Sequence, residues 1–134
     1  MNAIFAAILN DDRPQVYDLL KADAALANFL NDEAMLFESK IFHWLYVGDT
    51  PLHLAAAGYR LEIAQSLLAA GANPHAANRR LGRPLHYAAD GYINGPDWNP
   101  TRQVKTIQCL LDGGADVNAQ DKNCLLYTSD AADE

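Results

Sequence analysis

His86, Asp90, Asp97 and Trp98 are the residues whose types best suit acid–base chemistry: an imidazole to move a proton, carboxylates to orient it, an aromatic wall beside them. Their spacing does not require such a site. The chain has no HxxxH pair, no GxSxG turn, no Gly-Lys-Ser/Thr loop and no glycine run that would cradle a phosphate. Asp112, Asp116 and Asp121 lack the spacing of a calcium loop. The two cysteines, Cys109 and Cys124, form no CxxC pair and are too few for a disulfide framework. The expectation is a non-enzyme, with no catalytic residue, no cofactor and no metal.

A repeat accounts for His86 instead. Asp49-Thr50-Pro51-Leu52-His53-Leu54-Ala55-Ala56 returns as Arg83-Pro84-Leu85-His86-Tyr87-Ala88-Ala89. Pro51 and Pro84 are 33 residues apart, and so are His53 and His86. A period of this size marks stacked supersecondary units. The residue types suit a helix start. Thr50 is an N-cap candidate whose hydroxyl can accept from the N–H of Leu52 or His53. Pro51 falls at the first helical position, where no N–H is needed. Leu52 points inward, and Ala55 and Ala56 let neighbouring helices approach closely. Arg83 replaces the threonine in the second copy and cannot cap, a loss of about 1 kcal/mol. That helix is expected to start less firmly.

The motif and the period together resemble the ankyrin repeat. The resemblance implies an all-α solenoid of stacked helix-turn-helix units with short finger loops. It also implies that His53 and His86 tie the threonine hydroxyl to nearby backbone. Gly71-Ala72-Asn73 and Gly114-Ala115-Asp116 match the family's closing element, with Gly71 and Gly114 as helix stops. The turn Gly58-Tyr59-Arg60 departs from the pattern, since the family usually has Gly where Tyr59 stands and His where Arg60 stands.

Along the chain, residues 1–28 read as a degenerate N-terminal capping repeat, with helical spacing of Ile4, Phe5, Ile8 and Leu9 and a second helix facing inward through Val16, Leu19 and Leu20. Residues 29–45 are an insertion. Phe29 to Glu38 is expected to be a short helix. Ile41 to Val47 is expected to be extended and either packed on the repeats or exposed as an aromatic strip. His43 reads as an incidental neighbour. Residues 46–78 form an ankyrin repeat, with Ile63, Ala64, Leu67 and Leu68 inward. Residues 79–120 form another. Leu68 to Leu111 is 43 residues, ten more than the period, so this repeat carries an insertion of ten between its helices. Asn94-Gly95-Pro96 marks a turn within it, and Asn99-Pro100 opens the final helix. That helix faces inward through Val104, Ile107, Leu110 and Leu111. Ile107, Leu110 and Leu111 are also expected on the face where a further repeat would stack. Cys109 reads as a buried, inert thiol.

Residues 121–123 begin a repeat that stops, and residues 124–134 resemble a translated sequencing-library adaptor. The natural chain is therefore expected to continue. The full chain has a formal net charge of −7, and the tail supplies three of its acids and no base, leaving −4 for residues 1–123. This balance argues against nucleic acid as a partner. The apolar start lacks a preceding base and is too short to span a bilayer, so no membrane segment is expected and the location is taken as cytoplasmic.

The resemblance implies a protein–protein interaction scaffold whose partner is another protein. Partner-binding candidates are Tyr46 and Asp49 on one finger, Arg79, Arg80 and Arg83 on the next, Asp90 at the end of a helix, and Trp98 in the second insertion. The alternative is the targeting part of a larger enzyme or effector whose chemistry lies outside residues 1–123.

Overall fold

The structure is a computed structural model that describes residues 2–37, 41, 43–90 and 98–118. Asp97 with most of the second insertion, the repeat opening at 121–123 and the tail at 124–134 lie outside the described residues.

Among the described residues six α-helices pair in order: α1 (Ala3–Leu9) with α2 (Arg13–Ala22), α3 (Pro51–Ala57) with α4 (Leu61–Ala69), and α5 (Pro84–Ala89) with α6 (Pro100–Asp112). α1, α3 and α5 pack successively in one layer, and α2, α4 and α6 in the other. Each start has a local cause. Asn2 accepts from the Ile4 N–H at 3.0 Å, Asp12 from Gln15 at 3.2 Å, and Asn99 from Arg102 at 3.1 Å. Proline opens α3, α5 and α6 at their first residue. Between the layers Ile4, Phe5, Ile8, Leu52, Ile63, Leu67 and Leu110 are fully buried.

The α3–α4 turn explains the departures at Tyr59 and Arg60. Tyr59 keeps the left-handed backbone of the expected glycine, at φ +54°, as does Asp11 at φ +53° in the α1–α2 turn. The strain of such a residue is about 1 kcal/mol or more. It is offset by burying the ring, by a bond from the Tyr59 hydroxyl to the Asp90 carbonyl at 3.3 Å, and by one from Arg102 Nε to the Tyr59 carbonyl at 3.1 Å. Arg60 reaches back to α1, donating to the carbonyls of Ile8 at 3.2 Å and Leu9 at 2.8 Å. It thereby supplies a donor to the Leu9 carbonyl at the helix end and a second one to the Ile8 carbonyl, which also accepts from the Asp11 N–H. In the other layer Glu62 of α4 lies between Arg13 of α2 at 3.2 Å and Arg102 of α6 at 2.6 Å. The Arg102 hydrogen bond holds the Glu62 carboxyl below its ordinary pKa. One carboxylate thus links all three helix pairs.

Three expectations need correction. The helix expected over Phe29 to Glu38 is absent from the described part of that span, residues 29–37: β1 (Met35–Phe37) pairs antiparallel with β2 (His43–Leu45), Leu36 opposite Trp44. A helix this short is marginal without a cap. Instead, Asn31 draws the chain alongside the first finger: its N–H donates to the Asp49 carbonyl and its carbonyl accepts from Gly48, both at 2.8 Å. Its side-chain amide adds a bond to the Tyr46 carbonyl at 3.0 Å. On α6, Val104 is 65% exposed rather than inward, because Thr106 and Leu110 face the core and Val104 lies across the helix from them. Leu110 is fully buried, and only Ile107 and Leu111 of the proposed stacking face are partly open.

The segment that precedes α3 is fastened to the helix pairs by Ile41, which is 1% exposed. A Cβ on Gly58 would collide with Ile41 Cδ1 and come within 2.7 Å of its Cγ1. Gly58→Ala is therefore expected to destabilise the protein by about 1–3 kcal/mol through overpacking. Urea unfolding would show this as a lowered midpoint, and in a double-mutant cycle Gly58→Ala and Ile41→Ala together should cost less than the sum of the two alone.

Candidate functional site

The fingers are held from beneath by buried polar groups. His53 is fully buried in α3. Its Nδ1 accepts the Thr50 N–H at 3.0 Å, and the Thr50 hydroxyl lies 2.9 Å from the same nitrogen. Thr50 and His53 thus form a capping box, with the hydroxyl facing both the ring and the first turn of the helix. On its other side Nε2 faces the Gly82 carbonyl, on the next finger, at 3.0 Å. An acceptor at Nδ1 and a donor at Nε2 define a neutral ring with its proton on Nε2. Burial lowers the His53 pKa, despite the opposing pull of Asp49 and the Gly82 carbonyl.

Asp49 was expected on the surface, and this is a correction: its side chain is fully buried. Its carboxylate accepts from the Tyr46 N–H at 2.8 Å, Asn78 Nδ2 at 2.9 Å and the Tyr87 hydroxyl at 2.6 Å. A carboxylate with three donors can stay buried, whereas an unpaired one could not. Burial, reinforced by Asp49, pushes the Tyr87 hydroxyl far above its ordinary pKa. Asn78 folds the second finger around itself, accepting from the N–H groups of Arg80 and Gly82 at 2.9 Å each. The second motif keeps the half that does not need threonine. The Arg83 N–H donates to His86 Nδ1 at 2.9 Å, and Arg83 has the same extended backbone as Thr50.

Above this base lie the groups that can meet a partner. Tyr46 is half-buried and stacks on Trp44 with ring centroids 6.1 Å apart. Arg79 and Arg80 are exposed and Arg83 is half-buried. Asp90 is exposed but engaged by His43 at 3.2 Å. Trp98 is held against its own repeat. Its indole N–H donates to Gln103 Oε1 at 3.0 Å, and the Gln103 amide donates to the Ala88 and Ala89 carbonyls. It is therefore separate from the arginine finger. His86 is buried in the repeat motif, and Asp90 is taken up by His43.

Four residues were missed or undervalued. Trp44 is 47% exposed and Val47 43%. Leu81 is 50% exposed at φ +61°. The period could have found it, since it falls 33 residues after Gly48, which has φ +91°. His43, read as incidental, bridges the ribbon and the end of α5.

The family profile described as ankyrin repeats, in three copies, matches residues 3–121. The chain belongs to the ankyrin repeat family. Human neurogenic locus notch homolog protein 4 is 50% identical over 46 residues, which is 34% of this chain and 2% of that protein. The ankyrin assignment accounts for the paired helices, for the two finger starts at Pro51 and Pro84, and for the glycine stops, Gly71 at φ +101° and Gly114 at φ +104°. Ankyrin repeats generally bind other proteins. No helix among the described residues is long and apolar enough to cross a membrane.

His53→Ala is expected to cost about 2–4 kcal/mol, because it strands the buried Thr50 N–H and takes one of two donors from the Gly82 carbonyl, which keeps the Asn78 N–H. The pH dependence follows from the lowered pKa. Below the ordinary value of about 6.5 the unfolded chain takes up a proton that folded His53 refuses. Its contribution is complete above pH 6.5 and declines as the pH falls towards the folded value. Urea midpoints between pH 7.5 and 5 should show the wild-type advantage over His53→Gln shrinking on acidification.

Proposed function

We propose that this chain is a non-catalytic scaffold that uses its finger loops to hold an acidic protein segment carrying an apolar anchor. The carrying observation is how the arginines are used. Arg13 and Arg102 are engaged by carboxylates, and Arg60 by helix-end carbonyls. Among the described residues no carboxylate pairs with Arg79, Arg80 or Arg83, although the chain as a whole is acidic. Three guanidinium groups on one finger concentrate positive charge where forked donors meet carboxylates well.

Leu81 supports the apolar half of this reading. A leucine held in left-handed backbone with half its surface in water serves neither local geometry nor burial. It stands between Arg80 and Gly82, next to the finger that carries Tyr46 and Val47. Of the residues anticipated from sequence, Tyr46, Arg79, Arg80 and Arg83 belong to this surface. Asp49 serves it from below as a support. Asp90 and Trp98 stand apart from it.

Selection of displayed random peptides on the immobilised chain tests the proposal. Acidic peptides containing an aliphatic or aromatic residue should be enriched, and the interaction should weaken with added salt. Replacing Arg79, Arg80 and Arg83 together by alanine should lower affinity at least about ten-fold, in line with arginine's usual weight at interfaces. Leu81→Gly should raise stability by about 0.5–1 kcal/mol through relief of strain while weakening binding. Enrichment of neutral or basic peptides, or binding indifferent to both variants, would remove the finger from the account.

A further inference from the structure

The ribbon of the first insertion has three residues in each strand, and a two-stranded ribbon is at best marginally stable alone. It stays in place through tethers to the repeats. Ile41 is buried against Gly58, Leu45 is 1% exposed, and Asn31 bonds the first finger. None of these changes with pH in the physiological range. One other tether does, because it runs through His43.

Both nitrogens of His43 face oxygen acceptors. Nδ1 lies 2.7 Å from the carbonyl of Trp44, and Nε2 lies 3.2 Å from Asp90 Oδ2. A neutral imidazole carries one N–H and can satisfy one of these oxygens. The short Nδ1 contact demands a proton there, so the neutral ring would turn a lone pair towards the Asp90 carboxylate. Only the imidazolium donates to both. The ring also lies over Tyr87 of α5, centroids 4.4 Å apart.

We propose that His43 is a proton-operated clasp: charged, it fastens β2 to Asp90 at the root of the second insertion, and neutral, it releases that end of the ribbon and the adjoining Trp44. The titratable groups around it are few. Asp90 and Tyr87 face it from α5, Asp49 from the first finger and His53 from α3. Tyr59, from the α3–α4 turn, holds Asp90 through the Asp90 carbonyl. Burial opposes charging the ring, but the hydrogen bonds to Asp90 and the Trp44 carbonyl, with the Asp90 and Asp49 charges, outweigh it, and the His43 pKa is raised. The clasp is therefore complete below the ordinary histidine pKa of about 6.5 and is lost as the pH rises through the higher folded value. His53 runs the opposite way, so the two histidines are distinguishable by sign.

This proposal needs no partner, so it stands or falls separately from the binding reading. Its test is an NMR titration of the His43 ring in the full chain, with Trp44 fluorescence followed in a Trp98→Phe background, where Trp44 is the only tryptophan. The expected result is a His43 midpoint above 6.5, with a red shift of Trp44 emission as the pH passes through it. Asp90→Asn changes an exposed residue and should leave the fold intact while moving the midpoint down. His43→Gln should abolish the emission change. A His43 midpoint at or below 6.5, a midpoint unmoved by Asp90→Asn, or a Trp44 emission that follows pH equally in His43→Gln would each overturn the clasp.

Discussion

The fingers depend on one buried ring. His53 reads its own repeat with one nitrogen and the next repeat with the other, accepting from Thr50 and donating to Gly82. The geometry works only if the ring is neutral and Gly82 sits one unit away. A single imidazole therefore sets both the start of its helix and the position of the neighbouring finger. Asp49 adds a second link of the same kind, joining the Tyr46 backbone to the Asn78 side chain at the root of the next finger and to the Tyr87 side chain of the following repeat. Buried polar groups of this sort tolerate no missing partner. The loops above them are consequently shaped from the interior.

Much of this was legible from a few residues. The recurrence of Pro51 and His53 at Pro84 and His86 marked the unit, and the apolar spacing of Ile4, Val16, Ile63 and Leu67 marked its faces. What escaped depended on contacts distant in sequence. Asp49 precedes a helix and looks like an ordinary surface acid; its burial depends on Asn78 and Tyr87, 29 and 38 residues away. The ribbon at Met35–Phe37 was misread because strand pairing there is set by where Asn31 and Ile41 dock rather than by local propensity. Val104 was misplaced because a helical stripe fixes relative positions, while packing against α4 and α5 decides which of them face inward.

The departures from the family pattern have a common logic. Tyr59 takes a glycine's conformation and uses its side chain to reach Asp90. Arg60 replaces histidine and caps the helix of the preceding unit. Leu81 takes another glycine's conformation and uses its side chain for nothing inside the molecule. Two of these substitutions stiffen the stack, and the third leaves an apolar group facing solvent. That contrast separates architecture from surface more sharply than exposure alone, since half-exposed leucines are common and strained ones are not.

The base of the second insertion is closed on both sides. Asp90 is gripped by Tyr59 and His43, Gln103 stitches the end of α5 to α6, and Asn99 starts the next helix on its own cap. Those anchors fix the register of the stack on either side of it. Loop-closure entropy rises only about 0.6 kcal/mol for each doubling of length. The site therefore behaves as a socket for interchangeable loops, a place where evolution or an engineer can splice new segments into the solenoid without retuning the helices on either side.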